Sequence, residues 1–149
     1  MIRIATRSDL PTVVSLIVDF LTDATAYGKH TDAIDVEHIR KMSHSIISVG
    51  RVWLFEINNV AVGLLAAVLE QNIWIPSKHS YREIVWYVKP EFRRNPSAAK
   101  LFLEFCREGE RLLEQGKIEG FFTTRMATTS EYDLVKRGFR EVERLFLRD

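Results

Sequence analysis

An apolar run, Ile84-Val85-Trp86-Tyr87-Val88, leads through the basic turn Lys89 to Arg94 into Asn95-Pro96. Ala98, Leu101, Phe102, Phe105 and Leu112 then follow at helical spacing, and Gly116 stops the pattern before a second apolar run, Ile118 to Thr124. A strand, helix and strand of this length bring the chain back in its original direction, so the two strands lie parallel with the helix crossing over them. The turn at the helix start aims unpaired backbone N–H groups at whatever lies above it, which is the geometry of an anion site.

The rest of the chain is read around that unit. Residues 2–6 form a short strand, and Ser8 or a neighbour caps a helix with Leu10, Val13, Val14, Ile17, Phe20 and Leu21 on one face. A polar stretch, Thr22 to Thr31, is placed to act as a lid. A second helix, from about Asp35 to Ser48, turns Val36, Ile39, Met42, Ile46 and Ile47 inward and ends at Gly50. Strands 51–57 and 60–68 form a hairpin through Asn58-Asn59, two residues that tolerate positive φ. Glu70 to Ser80 is less regular and precedes the strand Tyr81 to Val88, and the crossover helix runs from about Pro96 to Gln115. Thr128-Thr129-Ser130-Glu131 has capping-box spacing and opens a last helix closed by Gly138, with a final strand over 140–148. The expected fold class is α/β (α+β mixed sheet), a central twisted sheet of about six strands flanked by about four helices in one domain, 1–149.

Composition narrows the function classes. Lys and Arg number 21 against 20 Asp and Glu, so the net charge of +1 argues against a dedicated nucleic-acid binder or a polybasic membrane anchor. No window approaches the ~18 apolar residues of a membrane span, and Met1-Ile2-Arg3-Ile4 does not open a signal peptide, so a cytoplasmic protein is expected. The single cysteine, Cys106, lies on the apolar side of the crossover helix and reads as a core thiol. The histidines are dispersed, with His38 and His44 six positions apart on a helix and not on one face, so no metal site is read. Gly-rich P-loop, Gly-x-Ser-x-Gly and paired-Cys motifs are absent from the sequence.

Val88-Lys89-Pro90 followed by Arg93-Arg94-Asn95-Pro96-Ser97-Ala98 resembles the GNAT (GCN5-related N-acetyltransferase) superfamily, whose strand ends in Val-x-Pro before an Arg/Gln-x-x-Gly-x-Gly/Ala pyrophosphate loop. Ile2 to Pro11 is similar to that family's first strand and helix start, and Lys136-Arg137-Gly138-Phe139 to its late helix-Gly-Phe signature, so the resemblance spans nearly the whole chain. It implies a GNAT-like fold that binds acetyl-CoA, or another acyl-CoA, and transfers the acyl group to a small-molecule or protein amine through a ternary complex. The pantetheine arm would pair with the backbone of Trp86, Tyr87 and Val88, and the pyrophosphate would meet Arg93, Arg94 and the N–H groups of Ser97, Ala98 and Ala99. Glu83, on the strand beside the cleft, is the candidate general base, with a solvated strand-edge carboxylate as its structural alternative.

Three positions depart from the family pattern toward less polar function. Pro96 replaces the first loop glycine and has no N–H, while Asn95-Pro96 is equally a common helix start. Ala127 stands where an Asn is frequent, with Thr128, Thr129 and Ser130 close by. Leu134 stands where an acid or leaving-group Tyr is frequent, and Tyr132 is rotated from it by roughly 200° on a helix. These losses suit a competing reading, a catalytically degenerate binding or assembly subunit similar to the short acetyltransferase-like proteins of tailed phages and virion-associated in that case. That reading predicts a cleft narrowed by Trp86 and Phe122 and an exposed apolar surface or strand edge meeting another chain. Either reading allows a homo-oligomer.

Overall fold

The computed structural model describes residues 1–23, 28–124 and 133–142. In chain order these form β1 (Ile2–Ile4), α1 (Leu10–Asp23), α2 (Val36–Val49), β2 (Arg51–Ile57), β3 (Val60–Gln71), β4 (His79–Val88), α3 (Ala99–Glu114) and β5 (Phe121–Phe122). Short 3-10 turns occupy Arg7–Asp9, Gly28–Ala33, Pro90–Phe92 and Val135–Arg137. The strands lie in sequence order in one sheet, antiparallel from β1 to β4, with β5 parallel to β4. This is the mixed sheet expected, with five strands and three α-helices among the described residues. The predicted final strand lies largely outside them, as does the capping-box start of the last helix.

Local chemistry sets the element ends. Asn58 and Asn59 both take positive φ, 50° and 64°, so the β2–β3 hairpin closes with the predicted two-residue turn. Asp35 caps α2 by accepting the His38 N–H at 3.0 Å. Strand β1 stops two residues short of expectation, where Thr6 gives its N–H to the Asp9 carboxylate at 2.8 Å. On α2, Ile39 is buried and Ile46 and Ile47 pack on the core as expected, but Val36 and Met42 are exposed, contrary to expectation, and Ser43 is buried. The β3–β4 hairpin is longer than expected and ends in a tight loop: Asn72 Oδ1 accepts the N–H groups of Trp74 and Ile75, both at 2.9 Å. Ile73 and Trp74 at its tip are 81% and 85% exposed.

The sheet is covered on both faces. Val13 and Leu16 of α1 pack with Val52, Leu54, Leu64, Ala66, Val85 and Tyr87 on one side. On the other, Leu101, Phe102, Phe105 and Leu112 of α3 pack with Trp53, Phe55, Leu65, Tyr81 and Val88. Tyr81 and Tyr87 would share a face on a regular strand, yet they enter opposite cores. The register gives the cause: Ala66 opposes Val85 while Ala67 opposes Glu83, leaving Ile84 as an extra residue in a β-bulge that reverses the alternation.

Two substitutions test this packing. The Tyr81 hydroxyl is sealed in the α3-side core without a hydrogen-bond partner among the described residues, so Tyr81→Phe should stabilise the fold by about 1–2 kcal/mol in chemical denaturation. A Cβ on Gly109 of α3 would lie 2.6 Å from the Phe121 ring, so Gly109→Ala should destabilise by about 1–2 kcal/mol despite its better helix propensity.

Candidate functional site

The bulge bends β4 where β5 begins to leave it. The two strands pair in register only at Tyr81–Phe121 and Arg82–Phe122. At the next position the Glu83 side chain enters between the strands, its Oε2 accepting the Thr123 hydroxyl at 3.1 Å and the Thr124 N–H at 3.2 Å. A side chain therefore takes the donor that a longer β5 would have given to the β4 backbone, and the predicted strand Ile118 to Thr124 shrinks to Phe121–Phe122. From Ile84 to Val88 the outer edge of β4 has no strand beside it among the described residues.

Glu83 is buried, at 7% exposure, and is not a solvated edge residue. Burial pushes its pKa up, and the Thr124 N–H, the Thr123 hydroxyl and the Arg82 charge oppose that rise. Arg82 itself is held by Glu70 at 2.6 Å and lies over the Phe122 ring, so its charge is committed elsewhere. Cys106 is half-buried with its thiol pushed up to about 11, in keeping with a packing role.

Beyond Val88 the chain descends through a series of tight turns. Phe92, Arg93, Asn95 and Ala98 each give a backbone N–H to the carbonyl three residues earlier. Asn95 Oδ1 accepts the Ser97 N–H at 2.9 Å in a local turn, but Asn95 is not the cap expected: regular α-helix begins only at Ala99, three residues later than predicted, behind Ala98, which makes no side-chain cap bond. Of the three N–H groups proposed to face a pyrophosphate, those of Ser97 and Ala98 thus already bond to Asn95, and that of Ala99 has no acceptor among the described residues. The Arg94 and Lys100 side chains are exposed, and no described residue pairs with them.

Arg93 turns back toward β4. Its Nε donates to the Val88 carbonyl at 2.9 Å, its guanidinium lies 5.8 Å from the Tyr87 ring centre, and Nη2 is 3.7 Å from Asp23 Oδ2. That same Asp23 oxygen accepts the Tyr87 hydroxyl at 2.6 Å. Lys89 faces Asp19 at 3.5 Å, one α1 turn earlier. The two acids were missed in the sequence, although their four-residue spacing at the end of α1 matches that of Lys89 and Arg93. Trp86 stacks on Phe102 of α3, with centroids 4.9 Å apart.

Leu134 packs against the α3-side core, and Gly138 takes φ of 85° so that Phe139 can return its N–H to the Leu134 carbonyl and join the same core. The Lys136 to Phe139 motif therefore closes the core beside Phe102 and Phe121. Ala127, Thr128, Thr129, Ser130 and Tyr132 lie outside the described residues. Within those residues no group of three His, Cys, Asp or Glu could hold a metal ion, and no helix is long and apolar enough to cross a membrane.

No protein-family model matches the sequence, and no curated protein matches it. Solved structures do match its fold. A GCN5-related N-acetyltransferase from Ralstonia eutropha JMP134 superposes with a TM-score of 0.67 at 14% identity, covering 100% of this chain and 97% of that one. A predicted acetyltransferase with acetyl-CoA from Clostridium acetobutylicum gives 0.70 at 15% identity, covering 100% and 95%. An aminoglycoside acetyltransferase from an uncultured soil metagenomic sample, in complex with sisomicin, gives 0.66 at 19% identity, covering 99% and 95%. The chain has the GCN5-related N-acetyltransferase fold.

The buried carboxyl of Glu83 makes stability depend on pH. Because its folded pKa is raised above the 4.5 of an unperturbed Glu, its stabilising contribution is complete below that value and is lost as pH rises through the folded pKa. Glu83→Gln abolishes that loss, so melting curves should show the variant gaining on the parent chain between pH 4 and pH 8.

Proposed function

We propose that the chain is an acyl-CoA-dependent N-acyltransferase acting on an amine by direct attack in a ternary complex. One observation carries the reading: a buried carboxylate, Glu83, stands where two parallel strands part, beside an outer edge of β4 that has no strand next to it among the described residues and ends at a basic turn and a helix start. The fold found in acetyltransferases, one of them with acetyl-CoA, supports it.

The turn fits an anionic donor. Arg93 and Arg94 supply charge, and the Ala99 N–H is open. The Ser97 and Ala98 N–H groups can join them by exchanging Asn95 for phosphate oxygen, so Pro96 removes one donor without closing the site. Trp86 and Val88 turn their backbone groups to the edge that an extended pantetheine arm would pair with, while those of Tyr87 face Leu64 of β3, and the Val88 carbonyl would have to leave Arg93 to join. When bound, the donor contributes an activated thioester carbonyl.

Glu83 then has a defined task. An amine attacks only as the neutral species, and the raised pKa of Glu83 makes it a stronger base than a solvated carboxylate for removing that proton. The ammonium proton would pass to the Glu83 carboxylate, the freed nitrogen lone pair would form the C–N bond as the C–S bond breaks, and the leaving thiolate would take up the second proton that the nitrogen releases. An amine-bearing small molecule is the first acceptor to test, since one structure of this fold carries sisomicin.

A non-catalytic binding role is favoured by a different observation, the exposed Ile73, Trp74 and Ile75 on the hairpin tip. Calorimetric titration with acetyl-CoA separates the two. The enzyme reading expects micromolar affinity, weakened about tenfold in Arg93→Ala. With sisomicin as the first acceptor, Glu83→Gln should keep donor affinity and lower kcat about 10²–10⁴-fold. No heat with acetyl-CoA would leave the binding role.

A further inference from the structure

Arg93 has a resident counter-ion. Asp23 ends α1, and its carboxylate is positioned by the 2.6 Å hydrogen bond from the Tyr87 hydroxyl, so it faces Arg93 without depending on that pairing for its own place. Nη2 of Arg93 stays 3.7 Å from it, and the directional bond of the guanidinium goes instead from Nε to the Val88 carbonyl. The pair is thus close enough to neutralise charge yet is not a hydrogen-bonded fork. The side chains of Arg93 and Asp23 are 52% and 38% exposed, so an incoming anion can reach the cation.

We propose that Asp23 is an affinity-setting residue that competes with the donor's phosphates for Arg93. Tyr87 holds the carboxylate in position, and donor binding requires Arg93 to exchange a carboxylate for a phosphate. The inference rests on the acyl-CoA reading above and adds to it a residue from α1, outside the β4–α3 turn that binds the anion. Its chemistry is an exchange of ion partners with no covalent step. Removing one negative charge this close to a bound polyanion should raise affinity about threefold to tenfold at low salt, and the gain should shrink in about 0.5 M salt. Asp19 stands in the same relation to Lys89, one turn earlier, at 3.5 Å.

The test is calorimetric titration with CoA of the parent chain, Asp23→Asn, Arg93→Ala and the double variant, with melting temperatures recorded for each. Asn keeps an oxygen for the Tyr87 hydroxyl while removing the charge. Asp23→Asn should bind CoA about threefold to tenfold more tightly, and in the Arg93→Ala background the gain should fall to about twofold or less. Equal gains in both backgrounds would mean simple repulsion and would overturn the exchange. Weaker binding by Asp23→Asn with an unchanged melting temperature would also overturn it, by showing that Asp23 supports Arg93 for the anion. If the parent chain binds no CoA, the acyl-CoA reading fails separately, and the same four proteins titrated with inorganic pyrophosphate decide the exchange: an Arg93-dependent gain sustains it and its absence ends it.

Discussion

One additional residue in β4 organises the site. Because Ile84 has no partner on β3, side chains before and after it enter opposite cores, and the strand bends as it passes β5. Without that bulge Tyr87 would face α3, away from Asp23 and from the Arg93 guanidinium. With it, a single strand presents a buried carboxylate to the diverging strands, a backbone edge beyond that is unpaired among the described residues, and a phenol to α1. Small displacements of register become large differences in chemistry because the side-chain period of a strand is two.

The parts of this arrangement written in hydrophobic spacing could be read from the sequence. The parallel crossover follows from the apolar spacing along residues 84–124, and the Asn58-Asn59 hairpin and the helix start near Asp35 follow from residues within a few positions of one another. The bulge could not be read, since Tyr81 to Val88 shows no local signal for an extra residue; the register emerges only when β3 lies beside it. Glu83 was legible as an acid near the cleft, but its burial depends on Thr123 and Thr124, forty and forty-one positions away. The partners of Arg93 were hidden for the same reason: Asp23 lies in an earlier helix, and only the packing of α1 on the sheet brings it to Tyr87.

The turn after β4 shows how a ligand site can be stable without its ligand. Backbone donors left bare near a protein surface are satisfied by water or by nearby acceptors, and here Asn95 serves two of them with its side chain and carbonyl. An anion arriving at the turn exchanges hydrogen bonds more than it adds them, which moderates the net gain. Specificity for a charged group then falls to the cations around the turn, where Arg94 and Lys100 extend into solvent and Arg93 has its own neighbours.

The hairpin at the other end of β4 follows the opposite logic. Asn72 fixes the backbone of Trp74 and Ile75, and the Gln71 side chain holds the Pro76 carbonyl at 2.8 Å, so the apolar tip is braced by bonds within the loop itself. A flexible loop would lose conformational entropy when its side chains became ordered against another surface. This loop has given up most of that freedom during folding, which leaves its two isoleucines and tryptophan as a rigid protrusion whose association would be limited by desolvation and shape, with little backbone ordering left to oppose it.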